Sequence, residues 1–152
     1  IVHKITNPIV FTGKTRYTDF TMSMYAHYNK GGANSMRIIR TKNYEDMSRK
    51  AASIIAAQVI HKPDCVLGLA TGGTPVGTYK NLVAWYNAGD LDFSEISTVN
   101  LDEYKGLAPD HEQSYRRFMN DNLFSKINIP IEHTHVPNGC AYDLEKEGKE
   151  YE

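Results

Sequence analysis

The sequence predicts an α/β fold: a three-layer, Rossmann-like open parallel sheet with helices on both faces, apparently truncated. First, short β-rich runs alternate with amphipathic stretches from Met36 onward, which is typical of βαβ units. Second, residues 65–70 form a continuous apolar run that is too short for a helix and suits a central parallel strand. Third, the helical pattern that begins at Asp143 is followed by no further strand, so we expect an unfinished sheet.

Each element has a local signal. Asn43 can cap the first helix, and Gly89 is placed to end the second. The third helix has a predicted buried stripe at Tyr115, Phe118, Met119 and Leu123. The predicted strands are residues 36–40, 65–70, 96–101 and 133–136. The predicted helices cover residues 43–61, 74–88 and 112–126, and run from residue 143 onward.

Two regions are expected along the chain. Residues 1–35 show no sustained period and end in a Gly-Gly-Ala-Asn-Ser stretch, which is typical of a flexible joint. We interpret them as an appended leader, derived from cloning or mis-joined, and keep a native extension or an extra hairpin at residues 8–15 as alternatives. Residues 36–152 are then the N-terminal part of one α/β domain.

Composition narrows the class of partner. The 152 residues are 41% hydrophobic and 23% charged, with a formal charge of −1. Lys and Arg are spread along the chain, so we expect a small-molecule partner, no nucleic acid and no membrane, with homo-oligomer formation left open. The two cysteines, Cys65 and Cys140, do not require a disulfide framework, which favours the cytoplasm. Cys65 lies in an apolar run and is expected in the core.

The strongest local pattern is the turn between the apolar run and the next helix. Gly72 and Gly73 let an anion approach the backbone, and unpaired N–H groups at a helix start attract it. Thr71 and Thr74 add hydroxyl donors, and Pro75 suits a helix start. We interpret the turn as a phosphate site, although a plain tight turn is the alternative. The pattern is not that of a nucleotide-binding loop.

A second polar cluster follows the next predicted strand. Asp102, Glu103 and Tyr104 lie at the carboxyl end of that strand, where open parallel sheets bind ligands. A carboxylate there can act as a general base. Because Asp102 and Glu103 are adjacent, only one can face the crevice. The alternatives are that Asp102 caps a loop, that Glu103 is solvated, and that Tyr104 either closes over the site or packs.

Together these motifs resemble glucosamine-6-phosphate deaminase. The resemblance covers residues 36–152 and rests on residues 68–75 and 99–107, with Ser114-Tyr115 and Phe118-Met119 downstream. It implies isomerisation and deamination of glucosamine 6-phosphate to fructose 6-phosphate and ammonia, without an organic cofactor or a catalytic metal. It also implies roles for five residues. Thr71, Gly72, Gly73 and Thr74 would bind the sugar phosphate and nearby hydroxyls, and Asp102 would be the proton-abstracting base.

The sequence also departs from that pattern. The family's ring-opening His and further basic residues come later than Glu152, so this chain alone is expected to carry half of the site and to lack activity. His111, His133 and His135 do not lie in that later motif. His133 and His135 could share a strand face as a metal pair, but with no third ligand we expect packed or exposed histidines and no metal. A 6-phosphogluconolactonase-like hydrolase and a non-catalytic sugar-phosphate-binding module are the alternatives. The lactonases prefer Arg at the position of Tyr104, and a pure binder would not need Asp102.

Overall fold

A computed structural model describes residues 9–12, 20–25 and 36–152 of the chain. The predicted joint at residues 31–35 lies outside these ranges. The strands in the described residues are β1 Ile9–Thr12, β2 Phe20–Tyr25, β3 Met36–Thr41, β4 Val66–Leu69, β5 Ser97–Asn100 and β6 Thr134–His135. The α-helices there are α1 Tyr44–His61, α2 Val76–Asn87, α3 Tyr115–Asn122 and α4 Leu144–Tyr151. Short 3-10 helices cover Phe124–Lys126 and Ile131–His133.

The parallel sheet positions the site. Its strand order is β4-β5-β6, and both strand pairs are parallel. Helix α2 connects β4 to β5, and α3 connects β5 to β6, so each crossover carries a helix as βαβ units require. Strand β5 is therefore central, with β4 and β6 as its neighbours. The predicted parallel sheet with helices is confirmed.

The strand predicted at residues 36–40 forms, but its expected place in the parallel sheet is wrong. Strand β3 pairs antiparallel with β2, and β2 pairs antiparallel with β1, in a separate three-stranded sheet. A β-rich pattern indicates a strand but does not specify its partner, which explains the error. The hairpin considered at residues 8–15 also differs, since β1 pairs with a strand that begins at Phe20. The leader interpretation of residues 1–35 stays a prediction.

The main hydrophobic core combines buried side chains of α1, α2 and α3 with Leu69 of β4. Helix α1 begins after Asn43, whose side chain accepts a hydrogen bond from the Asp46 amide, as predicted. Cys65 is buried as expected, and burial raises the pKa of its thiol, which disfavours the reactive thiolate.

The largest fully buried core side chains are Tyr79, Phe93, Met47, Leu82, Ile96 and Met119. None of the helices within the described ranges combines the length and the apolar character needed to cross a membrane.

Several predicted boundaries are wrong by a few residues, and α3 also ends at Asn122 instead of residue 126, since Phe124–Lys126 form a 3-10 helix. Helix α3 begins at Tyr115 instead of residue 112, because Ser114 accepts hydrogen bonds from the Arg116 and Arg117 amides and so caps it there. The last strand is only Thr134–His135, since residues 131–133 form a 3-10 turn. Helix α4 follows Asp143, where a helix was predicted to begin, and the Asp143 side chain accepts hydrogen bonds from the Glu145 and Lys146 amides.

Candidate functional site

The two polar clusters start from one edge of the sheet. Leu69 and Asn100 are register partners at the carboxyl ends of β4 and β5. The buried Asn100 side chain also donates a hydrogen bond to the Leu69 carbonyl at 2.9 Å, which fastens the two strand ends together. Two loops, residues 70–75 and 101–104, therefore begin at neighbouring strand ends. They lie on the edge of the sheet where parallel sheets bind ligands.

The glycine-rich turn is open to solvent. Gly72 has a φ of 87°, a left-handed conformation that glycine adopts at little cost. Gly72 and Gly73 are exposed, and a Cβ added at Gly73 would meet no atom within 4 Å. Thr71 and Thr74 are partly buried at the two sides. Open space at Gly73, next to a helix start, is the geometry that an anion requires.

Two tyrosines that the sequence analysis did not single out support this turn. The Tyr79 hydroxyl donates to the Ala70 carbonyl at 2.5 Å, and burial raises its pKa. The Tyr44 hydroxyl donates to the Gly73 carbonyl at 3.0 Å and accepts from the Gly77 amide at 2.8 Å. Tyr44 lies far from the turn in sequence, and Tyr79 lies within α2. The spacing of residues in the sequence therefore does not indicate either contact.

Glu103 is neither a solvated loop residue nor free to face the crevice. Its carboxylate accepts hydrogen bonds from the amides of Tyr104, Tyr115 and Arg116, at 2.8 to 3.0 Å. A fourth comes from the Ser114 hydroxyl at 2.7 Å. Partial burial raises the pKa of Glu103, but these hydrogen bonds outweigh it and leave the pKa below its usual value. Glu103 thus ties the loop that carries Asp102 to the start of α3.

Replacing Glu103 by Gln is expected to lower the free energy of unfolding by about 2 kcal/mol, because one amide oxygen cannot accept all four donors. Urea unfolding measures the loss, with the exposed Glu112→Gln as a matched control. Since the folded pKa is lowered, the stabilisation is complete above the ordinary value of 4.5 and is lost as pH falls through the lowered pKa. Equal losses in the two variants would contradict this role.

Tyr115 packs against Tyr104, in the loop that carries Asp102. Its ring centroid is 4.8 Å from that of Tyr104, and the two hydroxyls are hydrogen bonded at 3.2 Å. The Tyr104 hydrogen bond raises the pKa of Tyr115, and the negative charge of Asp102 raises it further, whereas a hydrogen bond with Thr71 lowers it. Tyr115 is therefore near both polar clusters. Asp102 itself is exposed, and half-exposed Tyr104 packs against Tyr115.

The loop after Asp102 is held by a close backbone contact. The Gly106 amide donates to the Gly139 carbonyl at 2.7 Å. A Cβ at Gly139 would overlap the Tyr104 carbonyl oxygen and would lie 3.2 Å from Glu103 Cγ. Only glycine therefore fits at Gly139 without moving the loop.

Replacing Gly139 by Ala is expected to destabilise the protein by about 1 to 3 kcal/mol, since the backbone of residues 103–104 must shift. Thermal unfolding checks this result. The matched control is Gly148→Ala, because an added Cβ there meets no atom within 4 Å. A Gly139→Ala protein as stable as the control would show that the loop can move freely.

The histidines do not form the strand-face pair considered from the sequence. His133 lies in the 3-10 turn, whereas His135 lies in β6. The His133 Nδ1 atom is 3.2 Å from the carbonyl oxygen of Ile96, the residue before β5, so this ring contacts the start of that strand. His111 is exposed, and its Nδ1 accepts from the Gln113 amide at 3.1 Å. No group of three or more His, Cys, Asp or Glu side chains suited to a metal occurs in the described parts of the chain.

A parallel sheet with a glycine-rich turn and a carboxylate loop at one edge is the arrangement of a Rossmann-like α/β enzyme. Comparison with known proteins is more specific. The chain is 62% identical over 117 residues to a glucosamine-6-phosphate deaminase of Lachnoclostridium phytofermentans, covering 77% of this chain and 50% of that protein. A second glucosamine-6-phosphate deaminase, from Thermoanaerobacter pseudethanolicus, is 56% identical over 117 residues, covering 77% of this chain and 46% of that protein. The resemblance drawn from the motifs is confirmed: over these residues the chain is homologous to glucosamine-6-phosphate deaminases.

Solved structures agree. A monomeric glucosamine-6-phosphate deaminase gives a TM-score of 0.70 at 49% identity, covering 72% of this chain and 45% of that one. A 6-phosphogluconolactonase from Thermotoga maritima is more distant, with a TM-score of 0.54 at 25% identity. The match covers 71% of this chain and 47% of that one. No protein-family model matches the chain. The chain spans about half the length of the curated relatives it matches.

Proposed function

We propose that this chain supplies the phosphate-binding turn and the catalytic base of a glucosamine-6-phosphate deaminase. The observation that carries the proposal is the pairing of Leu69 with Asn100 at the carboxyl ends of β4 and β5, joined by a hydrogen bond at 2.9 Å, because the turn and the Asp102 loop begin at these two neighbouring strand ends. One ligand at this edge can then contact the turn and the carboxylate together. The identity of 62% over 117 residues to a deaminase supports the choice of substrate.

The proposed chemistry uses Asp102 as a general base. After the sugar ring opens, Asp102 takes the C2 proton and returns it at C1, which interconverts the aldose and ketose forms. Adjacent carbons on one face of the substrate need only a single carboxylate for this transfer. Hydrolytic loss of the amino group then gives fructose 6-phosphate and ammonia. The exposed position of Asp102 leaves room for a substrate to reach it.

The phosphate is proposed to lie on the turn. Thr71 and Thr74 supply hydroxyl donors, and Gly72 and Gly73 leave the backbone amides accessible. Tyr104, packed against Tyr115, would border the sugar. With this substrate the protein would act as a hydrolase of N-acetylglucosamine catabolism in the cytoplasm. Self-association into a homo-oligomer stays an open expectation.

A 6-phosphogluconolactonase-like activity is the second candidate, because a lactonase shares the fold at 25% identity. The identity to the deaminase structure is 49%. Tyr104, where the lactonase pattern prefers Arg, also favours the deaminase. A module that only binds a sugar phosphate would leave the carboxylate of Asp102 without a chemical role.

A chimaera tests the proposal, since the chain spans about half of its relatives. The matched 117 residues replace their counterpart in the Lachnoclostridium phytofermentans deaminase. Ammonia release from glucosamine 6-phosphate and hydrolysis of 6-phosphogluconolactone are then measured. We expect the first activity at a rate near that of the parent enzyme and no increase in the second. A folded chimaera that hydrolyses the lactone instead would support the second candidate, and one that binds glucosamine 6-phosphate without turnover would support a binding module.

A further inference from the structure

Tyr44, the first residue of α1, contacts the phosphate turn from outside the motif. Its hydroxyl donates to the Gly73 carbonyl at 3.0 Å and accepts from the Gly77 amide at 2.8 Å. These contacts span 29 and 33 residues of sequence. One hydroxyl therefore joins the middle of the turn to the first turn of α2.

The bond to Gly73 fixes a peptide plane. A trans peptide is planar, so its N–H points away from its C=O. Holding the Gly73 carbonyl towards Tyr44 thus directs the Thr74 amide to the opposite side. Because Gly72 and Gly73 have no Cβ, this peptide could otherwise rotate at little cost. Tyr44 removes that freedom before any anion arrives.

The bond from Gly77 defines the start of the helix. Pro75 occupies the N-cap position and makes no side-chain capping hydrogen bond. The Gly77 amide, one of the donors that a helix start leaves without an intrahelical partner, is instead satisfied by the Tyr44 hydroxyl. It is therefore not available to an anion.

Close packing makes this contact specific. A Cβ at Gly77 would overlap the Ser48 hydroxyl oxygen and would lie 2.9 Å from Tyr44 Cε1. Glycine at this position therefore lets α1 approach α2 closely enough for the hydroxyl to reach the turn. The ring of Tyr44 packs with Met47 and Ala51, which anchors it independently of the hydroxyl.

We infer that Tyr44 is a positioning residue for phosphate binding: it locks the Gly73–Thr74 peptide in the orientation that presents the Thr74 amide to the anion. This inference rests on the proposed function, because the anion is taken to be the phosphate of the sugar. The affinity gain comes from preorganisation, since the turn does not have to reorient on binding.

Tyr44→Phe in the whole chain tests the inference, because it removes the hydroxyl and keeps the packed ring. Amide exchange and NMR shifts report the turn directly, and a titration with glucosamine 6-phosphate reports affinity. We expect exchange at Gly77 to accelerate about tenfold, the Thr74 amide resonance to move, and Kd to rise about fivefold to tenfold. The control is Tyr86→Phe, at the far end of α2, where the ring packs on Phe93. This substitution should change neither the two amide signals nor the Kd.

The possible outcomes separate the two proposals. Unchanged Gly77 exchange and an unmoved Thr74 resonance in Tyr44→Phe would overturn the positioning role, whatever the affinity. Altered amides with an unchanged Kd would also overturn it. If the parent chain does not bind glucosamine 6-phosphate, inorganic phosphate is titrated as the probe. A Tyr44-dependent Kd for phosphate then upholds the positioning role while the choice of sugar fails, and a Kd independent of Tyr44 overturns it.

Discussion

Asp102→Asn in the chimaera is expected to lower kcat for ammonia release about 1,000-fold, because an amide cannot accept the C2 proton. Binding should persist, with a Kd for glucosamine 6-phosphate within about twofold of the parent, since the amide has nearly the same shape and the phosphate turn is untouched. Steady-state kinetics and a titration on the same protein measure the two quantities. Stability should change little, because the Asp102 side chain is exposed.

The matched control is Asp90→Asn, an exposed carboxylate in the turn after α2 and away from the carboxyl ends of the strands. It should leave both kcat and Kd unchanged. Turnover by Asp102→Asn at the parent rate would remove Asp102 from the role of base. An equal loss in both variants would point to a general effect of charge.

Gly73→Val is expected to raise the Kd for glucosamine 6-phosphate about 100-fold or more, because the added side chain fills the open space that the phosphate would occupy. The effect should be confined to binding. A Cβ at Gly73 meets no protein atom within 4 Å, so thermal stability should change by no more than about 1 kcal/mol. Calorimetric titration and thermal unfolding give the two values.

Two other glycines serve as comparisons. A Cβ added at Gly148, in helix α4, also meets no atom within 4 Å, so Gly148→Val should leave the affinity unchanged. Gly72→Val should instead destabilise the protein, because a β-branched residue is strained at a φ of 87°. Normal affinity in Gly73→Val would show that the phosphate does not lie on this turn.

Much of the fold follows from local patterns. The strand at Val66–Leu69, the helix after Asn43 and the helix start after Pro75 each have a signal within a few residues. Strand pairing has no such signal. Strand β3 was therefore predicted in position but assigned to the wrong sheet.

The candidate site shows the same division. The turn at Thr71 to Thr74 and the carboxylate at Asp102 stand out because glycine pairs and acidic residues at strand ends have direct chemical meaning. Tyr44 reaches the turn across 29 residues, and Glu103 reaches the start of α3 across 11 to 13. Such contacts depend on how elements pack, and one sequence does not encode them as a spacing.

An NMR titration of the chain with glucosamine 6-phosphate shows whether the turn and Asp102 face one ligand. We expect the amides of Gly73 and Thr74 and those around Asp102 to shift together and to fit a single Kd. The Gly73→Val substitution should abolish both sets of shifts. Shifts confined to the turn, or two sets with different Kd values, would contradict the claim that the two features form one site.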